Sequence, residues 1–251
     1  MNAAPAITLK AWSGWAPGLT HRALWQRWLA ERNDPEGSER PACKKIPAMM
    51  RRRCTVNTRM VLESALTACE EAGVDPKQVL VFLGTANGEI SSLNRLLFDL
   101  ADDEALSPTA FTNSVHHVPT GYFSIATGHL GLSRTISAFE DSFTCTFLDM
   151  YGYFSRKQDQ PALLVMADEM PVEPFDVMLV PPPFPYAVSM LFAPCKAGTP
   201  ESITFSRDPK AEIVERPEDA QPVFDFLRWV DSGEPSLRLH TSFGAVVWQR
   251  H

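Results

Sequence analysis

At 251 residues the chain is long enough for one well-buried domain, or one domain with a small appendage. Its 30 acidic against 23 basic residues give a net charge of −7, which argues against nucleic acid as the general partner. No apolar run approaches the roughly 20 residues of a membrane span, the opening MNAAPAITLKAWSGWAPG lacks a signal pattern, and five scattered cysteines (Cys43, Cys54, Cys69, Cys145, Cys195) fit reduced thiols better than a disulfide framework or zinc site.

In chain order, extended apolar runs alternate with helical patterns, as in a layered α/β domain. A strand from Ile7 to Trp12 leads to a helix from Thr20 to Leu29, and AERNDPEGSERP from Ala30 reads as a loop. Val56, Met60, Leu62, Leu66 and Cys69 mark one face of a helix that Gly73 closes. The strand Val79 to Leu83 is apolar at every position and belongs in the middle of a sheet. The turn Gly84 to Glu89 opens a helix through Leu93, Leu96, Leu97 and Leu100. Further strands fall at Thr135–Ala138, Ala162–Met166 and Ala187–Phe192, with a helix beginning near Asp141. Residues 196–200 read as a linker, after which come a strand at Ile203–Ser206, a helix through Val223, Phe224, Phe226, Leu227 and Val230, and one last strand from Leu237 to Trp248. The Pro181–Pro183 run with Phe184-Pro185 reads as a rigid connector.

The most informative stretch is SPTAFTNSVHHVPTGYFSIATGHLGLSRTISAFEDSF, from Ser107 to Phe143. It resembles the segment of β-ketoacyl synthases that leads into the nucleophilic cysteine. Ser107-Pro108, Ser114-Val115, Gly121, Ile125, Gly128, Gly131, Ile136 and Ser137 fall in step without a gap. The resemblance then sets the family's Cys on Glu140 and its Asn on His117. Elongation needs an acyl thioester on a thiolate, and a carboxylate would give a mixed anhydride that hydrolyses instead. Together with Trp12, Trp15-Ala16-Pro17-Gly18, Phe82 and Gly88-Glu89, the block is similar to the short ketosynthase-like group that includes the chain length factors of aryl polyene biosynthesis.

That resemblance implies the N-terminal half of a thiolase-like α/β fold over residues 1–195, with both the Gly121 helix and the Asp141 helix inside, and a truncated helix and strand segment, 196–251, packed on the same domain. It implies a non-catalytic subunit that pairs with a catalytic ketosynthase and shapes the tunnel receiving a chain built on an acyl carrier protein, in the cytoplasm, with no cofactor, metal, nucleic acid or membrane segment of its own. Ala110 takes the place of a bulky aromatic gate, and Phe111, Ser114, His117, Phe139 and Phe143 stand as tunnel or interface residues. The competing readings are an independent acyltransferase or hydrolase using Cys145 or a His116-based dyad, and a homodimeric acyl-binding scaffold.

Each residue also has a plainer reading. Phe111, Phe139 and Phe143 suit ordinary core or dimer-contact positions. Glu140 suits a buried carboxylate holding a helix start, with Asp141 in the first turn. His116 and His117, being adjacent, do not chelate by themselves and suit hydrogen-bonded interface positions. Cys145 suits a small buried residue, and Asp168-Glu169 a polar strand end. Lys44, Lys45, Arg51, Arg52 and Arg53, with Arg59 beyond them, suit either an acidic carrier-protein footprint or a solvated helix start with salt bridges.

Overall fold

The computed structural model describes residues 5–251 apart from 34, 38, 39, 157, 158, 180, 197, 215, 216, 218 and 219. Asp34, Ser38 and Glu39 of the predicted loop and Ala197 of the predicted linker lie outside the described residues, as does the start of the chain through residue 4.

One eight-stranded sheet organises the molecule. Its centre is β2 (Leu80–Gly84) and β4 (Ala162–Asp168), both buried at every residue, with β3 (Ser133–Ile136) parallel to β2 at one edge. Beyond β4 the pairing turns antiparallel, through β5 (Tyr186–Cys195), β1 (Ala6–Trp15), β6 (Ile203–Asp208), β8 (Gly244–Arg250) and β7 (Ser236–Thr241). The last three strands and α8 (Pro222–Ser232) therefore extend the same sheet and its cover. The strand expected from Leu237 to Trp248 is two strands. Thr241 Oγ1 donates to the Gly244 carbonyl at 3.0 Å, and Gly244 takes φ +118 where a Cβ would meet the Asp208 carbonyl, so the chain reverses there.

Alternation along the strands separates two cores. Leu80, Phe82, Leu164, Met166 and Met190 face α1 (Arg22–Glu31), α7 (Ser142–Phe154) and α8. Val81, Leu83, Leu163, Val165 and Leu191 face α3 (Val56–Ala72) and α6 (Val118–Thr127). The first core is aromatic: Phe143, Phe147, Phe226 and Trp248 pack with ring centroids 5.3–6.2 Å apart. In the second, Ser64 of α3 and Ser189 of β5 satisfy each other at 2.8 Å. Thr55 caps α3 by accepting from the Thr58 N–H, and Gly73 ends it in the left-handed region.

The periodicity leaves out two short helices. α2 (Ala48–Arg53) has no buried residue, and α5 (Pro108–Thr112) is defined by its start, Ser107 as N-cap and Pro108 in the first turn. The helix α4 (Ile90–Ala101) sends Ile90, Asn94 and Leu96 inward, while Leu93, Leu97 and Leu100 look outward. Of the two helices expected inside, α7 is largely buried, whereas α6 buries Val118, Pro119, Thr120 and Phe123 and leaves Ile125 70% exposed.

Candidate functional site

The parallel strands β3, β2 and β4 end side by side, and the turns that follow them gather the candidate site; open α/β sheets place ligands outside this edge. After β2 the turn 85–88 wraps the Asp168 carboxylate at the end of β4. Asp168 Oδ1 accepts from Thr85 Oγ1 at 2.7 Å, Ala86 N at 2.9 Å and Asn87 N at 2.8 Å. Burial pushes the Asp168 carboxyl up to about 6, against the pull of these donors.

After β3 the chain makes a strained elbow. Phe139 sits at φ +48, a region an aromatic residue rarely occupies, and opens a single 3-10 turn, Phe139–Asp141, that runs into α7. The residue is 64% exposed. Glu140 is exposed as well, so the expected buried carboxylate holding the helix start is not Glu140. Two neighbours hold that start: Ser142 Oγ accepts from Ala138 N at 3.0 Å and donates back to the Phe139 carbonyl, and Asp141 accepts from Ser242 N at 3.1 Å and Ser242 Oγ at 2.5 Å. Asp141 thus ties the elbow to the turn between β7 and β8, a long-range link that its expected place in the first helical turn does not contain.

Behind the elbow Glu140, Phe139, Ser142, Phe143, Asp168 and Tyr186 border a space of about 30 Å³. That is room for a water or two and no more. Phe143 is 2% exposed and stacks on Trp248, so the structure places it in the aromatic core and corrects its expected place on an acyl-facing wall. Cys145 borders a different hollow, with Arg134, Leu148 and Asp149, so it does not face the elbow.

The remaining candidates lie away from that space. On α5, Ala110 is half-buried and Phe111 is 64% exposed, and just past its end Ser114 Oγ donates to the Phe111 carbonyl at 2.9 Å. His117 Nδ1 lies 3.0 Å from Thr135 Oγ1 of β3 and 2.9 Å from Thr120 Oγ1, joining α6 to the sheet edge. His116 instead packs its ring over Gly88, which holds φ +64. His117 also lines an open apolar groove of about 600 Å³ between α2 and α6, with Met49, Met50, Arg53, Val118 and Ile125.

Half of the predicted basic patch is in structural use. Lys45 pairs with Glu70, Arg51 donates to the Ala42 and Cys43 carbonyls at 3.2 and 3.3 Å, and Arg59 donates to the Arg51 carbonyl at 2.6 Å. Lys44, Arg52 and Arg53 are exposed and form no ion pair among the described residues. Among those residues no group of three or more His, Cys, Asp or Glu side chains forms a metal site, and no helix is long and apolar enough to cross a membrane.

The sequence profile of the β-ketoacyl synthase N-terminal domain family matches residues 25–249. No curated protein matches the chain. Among solved structures, it is similar to a chain of the ketosynthase ApeO in complex with its chain length factor ApeC from Xenorhabdus doucetiae, at 22% identity and TM-score 0.74, over 98% of this chain and 99% of that one. It is also similar to a chain of AntDE:AntF, a type II polyketide synthase acyl carrier protein in complex with its ketosynthase bound to the hexaketide (13% identity, TM-score 0.62, 82% and 71%). A third likeness is to the ishigamide ketosynthase/chain length factor (11% identity, TM-score 0.60, 81% and 68%). The fold is the thiolase-like fold of ketosynthases.

Proposed function

The chain belongs to the β-ketoacyl synthase N-terminal domain family, and on that premise we propose that it is a chain length factor: a non-catalytic subunit that binds a catalytic ketosynthase and forms part of the wall around the growing acyl chain. The elbow carries this reading. Residues 137–142 are Ser-Ala-Phe-Glu-Asp-Ser, with no thiol to hold an acyl group, and the space behind them has the volume of a water or two. Cys145 does not open onto it, which speaks against an acyltransferase or hydrolase built on that residue.

The surface supports the partner. β3 ends the sheet with its outer edge unpaired among the described residues. Leu93, Leu97 and Leu100 run as an outward stripe on α4, and Phe98 and Phe111 are also exposed. An apolar stripe and an open strand edge on one chain fit a large protein interface better than solvent. In this assembly Ala110 and Phe111 contribute to the tunnel wall, His117 braces β3 at the interface, and the exposed Lys44, Arg52 and Arg53 are the cations left to meet an acidic carrier protein.

The test is co-expression with a catalytic ketosynthase, mass determination of the purified species, and a condensation assay repeated with the partner's nucleophilic cysteine replaced by alanine. A one-to-one complex whose activity vanishes with that cysteine is expected. A homodimer of this chain that turns over acyl thioesters alone overturns the proposal.

A further inference from the structure

Gly88-Glu89 and Asp168-Glu169 meet at the end of the parallel strands, and the proposed role uses neither. Glu89 precedes α4 and is 2% exposed. Its Oε1 accepts from Thr55 Oγ1 at 3.1 Å and Thr58 Oγ1 at 3.2 Å, both at the start of α3, and the Asn57 side chain also reaches the carboxylate, while the buried Oε2 has no partner in good hydrogen-bond geometry. Glu169, the residue after β4, is also buried, receives hydrogen bonds from Ser91 and from the Asn57 backbone, and is close enough to Glu89 for their charges to interact. Asn57 Nδ2 donates to the Gly88 carbonyl at 3.4 Å and leaves its own buried Oδ1 unpartnered.

No cation answers these carboxylates among the described residues. From the start of α3 and from α6, the groups that sense Glu89 are Cys54 and Tyr122. From β4 the charged neighbours are Asp168 and Glu169, and His116 covers Gly88 from outside. Arg59, the arginine of α3, is turned toward the Arg51 carbonyl. Two carboxylates buried about the same asparagine, Asn57, with no counter-ion cannot both stay ionised at small cost.

We infer that Glu89 and Glu169 hold one proton between them at neutral pH, and that this protonated pair is a pH-sensitive joint clamping the starts of α3 and α4 to the end of β4. Protonation removes the like-charge repulsion and turns a buried acceptor without a partner into an O–H donor. Burial, then the charge of Glu169, pushes the Glu89 carboxyl up to about 8, and burial raises Glu169 in the same direction. An acid whose folded pKa lies above its unfolded one binds more protons when folded. The joint's stabilisation is therefore full in acid and is lost as the pH rises from the unfolded value through about 8. Asp168, raised to about 6, tilts stability the same way at lower pH, and the buried thiols Cys43, Cys54 and Cys69, raised to about 11 to 12, do so toward pH 9, so above about pH 6.5 the difference between wild type and a Glu89 variant, in which those contributions cancel, reports on the pair.

The experiment is thermal unfolding of the full chain between about pH 6.5 and 9, as wild type and as Glu89→Gln, which has the shape of the protonated acid, with infrared spectroscopy of the carboxyl band at pH 7. The wild-type midpoint should fall by several degrees across the interval. Glu89→Gln should flatten that slope, match or exceed the wild type above pH 8, and lose a protonated-carboxyl band that the wild type shows. An unchanged slope in Glu89→Gln, no such band in the wild type, or a midpoint that follows added sodium or calcium instead of pH would overturn the joint. If Glu89→Gln does not fold, Glu169→Gln read by the same slope and the wild-type band decide.

Discussion

At the scale of the residue, the elbow concentrates the contrasts. Phe139 carries the backbone strain, Glu140 faces outward, and Asp141 and Ser142 hold the helix start through polar bonds to Ser242, Ala138 and the Phe139 carbonyl. Replacing Glu140 by Gln is therefore expected to change stability by no more than about 0.5 kcal/mol, as exposed substitutions do, and to leave condensation by an assembled complex intact; thermal unfolding and the condensation assay check both. Asp141→Ala removes the acceptor for Ser242 and should lower stability by about 1–3 kcal/mol through the unsatisfied N–H and hydroxyl left at the elbow, measured by denaturant unfolding. At Ala110, half-buried on α5, Phe should shorten the products and spare the first condensation; an unaltered product distribution would remove Ala110 from the tunnel wall.

Elements decide what these residues can do. β2 and α7 approach so closely that a Cβ on Gly84 would strike Met166 Sδ and Thr146 Oγ1. Gly84→Ala must push α7, and with it the elbow, off the sheet, at a cost of about 1–3 kcal/mol by the usual penalty for overpacking; a lowered unfolding midpoint together with weakened partner binding is the expected result. The opposite behaviour is expected on α4. Leu97 and Leu100 project outward, so Leu97→Asp with Leu100→Asp should leave the midpoint of the isolated chain nearly unchanged and abolish association with the ketosynthase, read by size exclusion.

Over the whole molecule, one sheet joins residues from both ends of the chain. β1 pairs with β5 along its length but with β6 only at Ile7 and Ile203, and the hairpin of β7 and β8 reaches back to the elbow through Ser242. The antiparallel end of the sheet is β7 of that hairpin, and the parallel end is β3, beside His117 and Thr135. The aromatic core of α1, α7 and α8 lies on one face of this sheet, and α3 and α6 cover the other.

Much of this was legible in the residues themselves. All-apolar runs mark β2 and β4, because a strand buried on both faces has no polar position to show, and Gly73 ends α3 because capping is a local reaction of the backbone. The family block from Ser107 to Phe143 was likewise readable, since it depends on the order of residue types. Other features had no local signal. The face that α6 buries, the outward turn of the α4 leucines and the core position of Phe143 depend on which elements arrive opposite them, and Asp141 finds Ser242 across 101 positions of sequence. The Glu89 and Glu169 pair has the same origin: each is an ordinary acidic residue in its own segment, and only tertiary packing buries the two carboxylates about Asn57 without an ion pair among the described residues, where the inferred proton would become part of the structure.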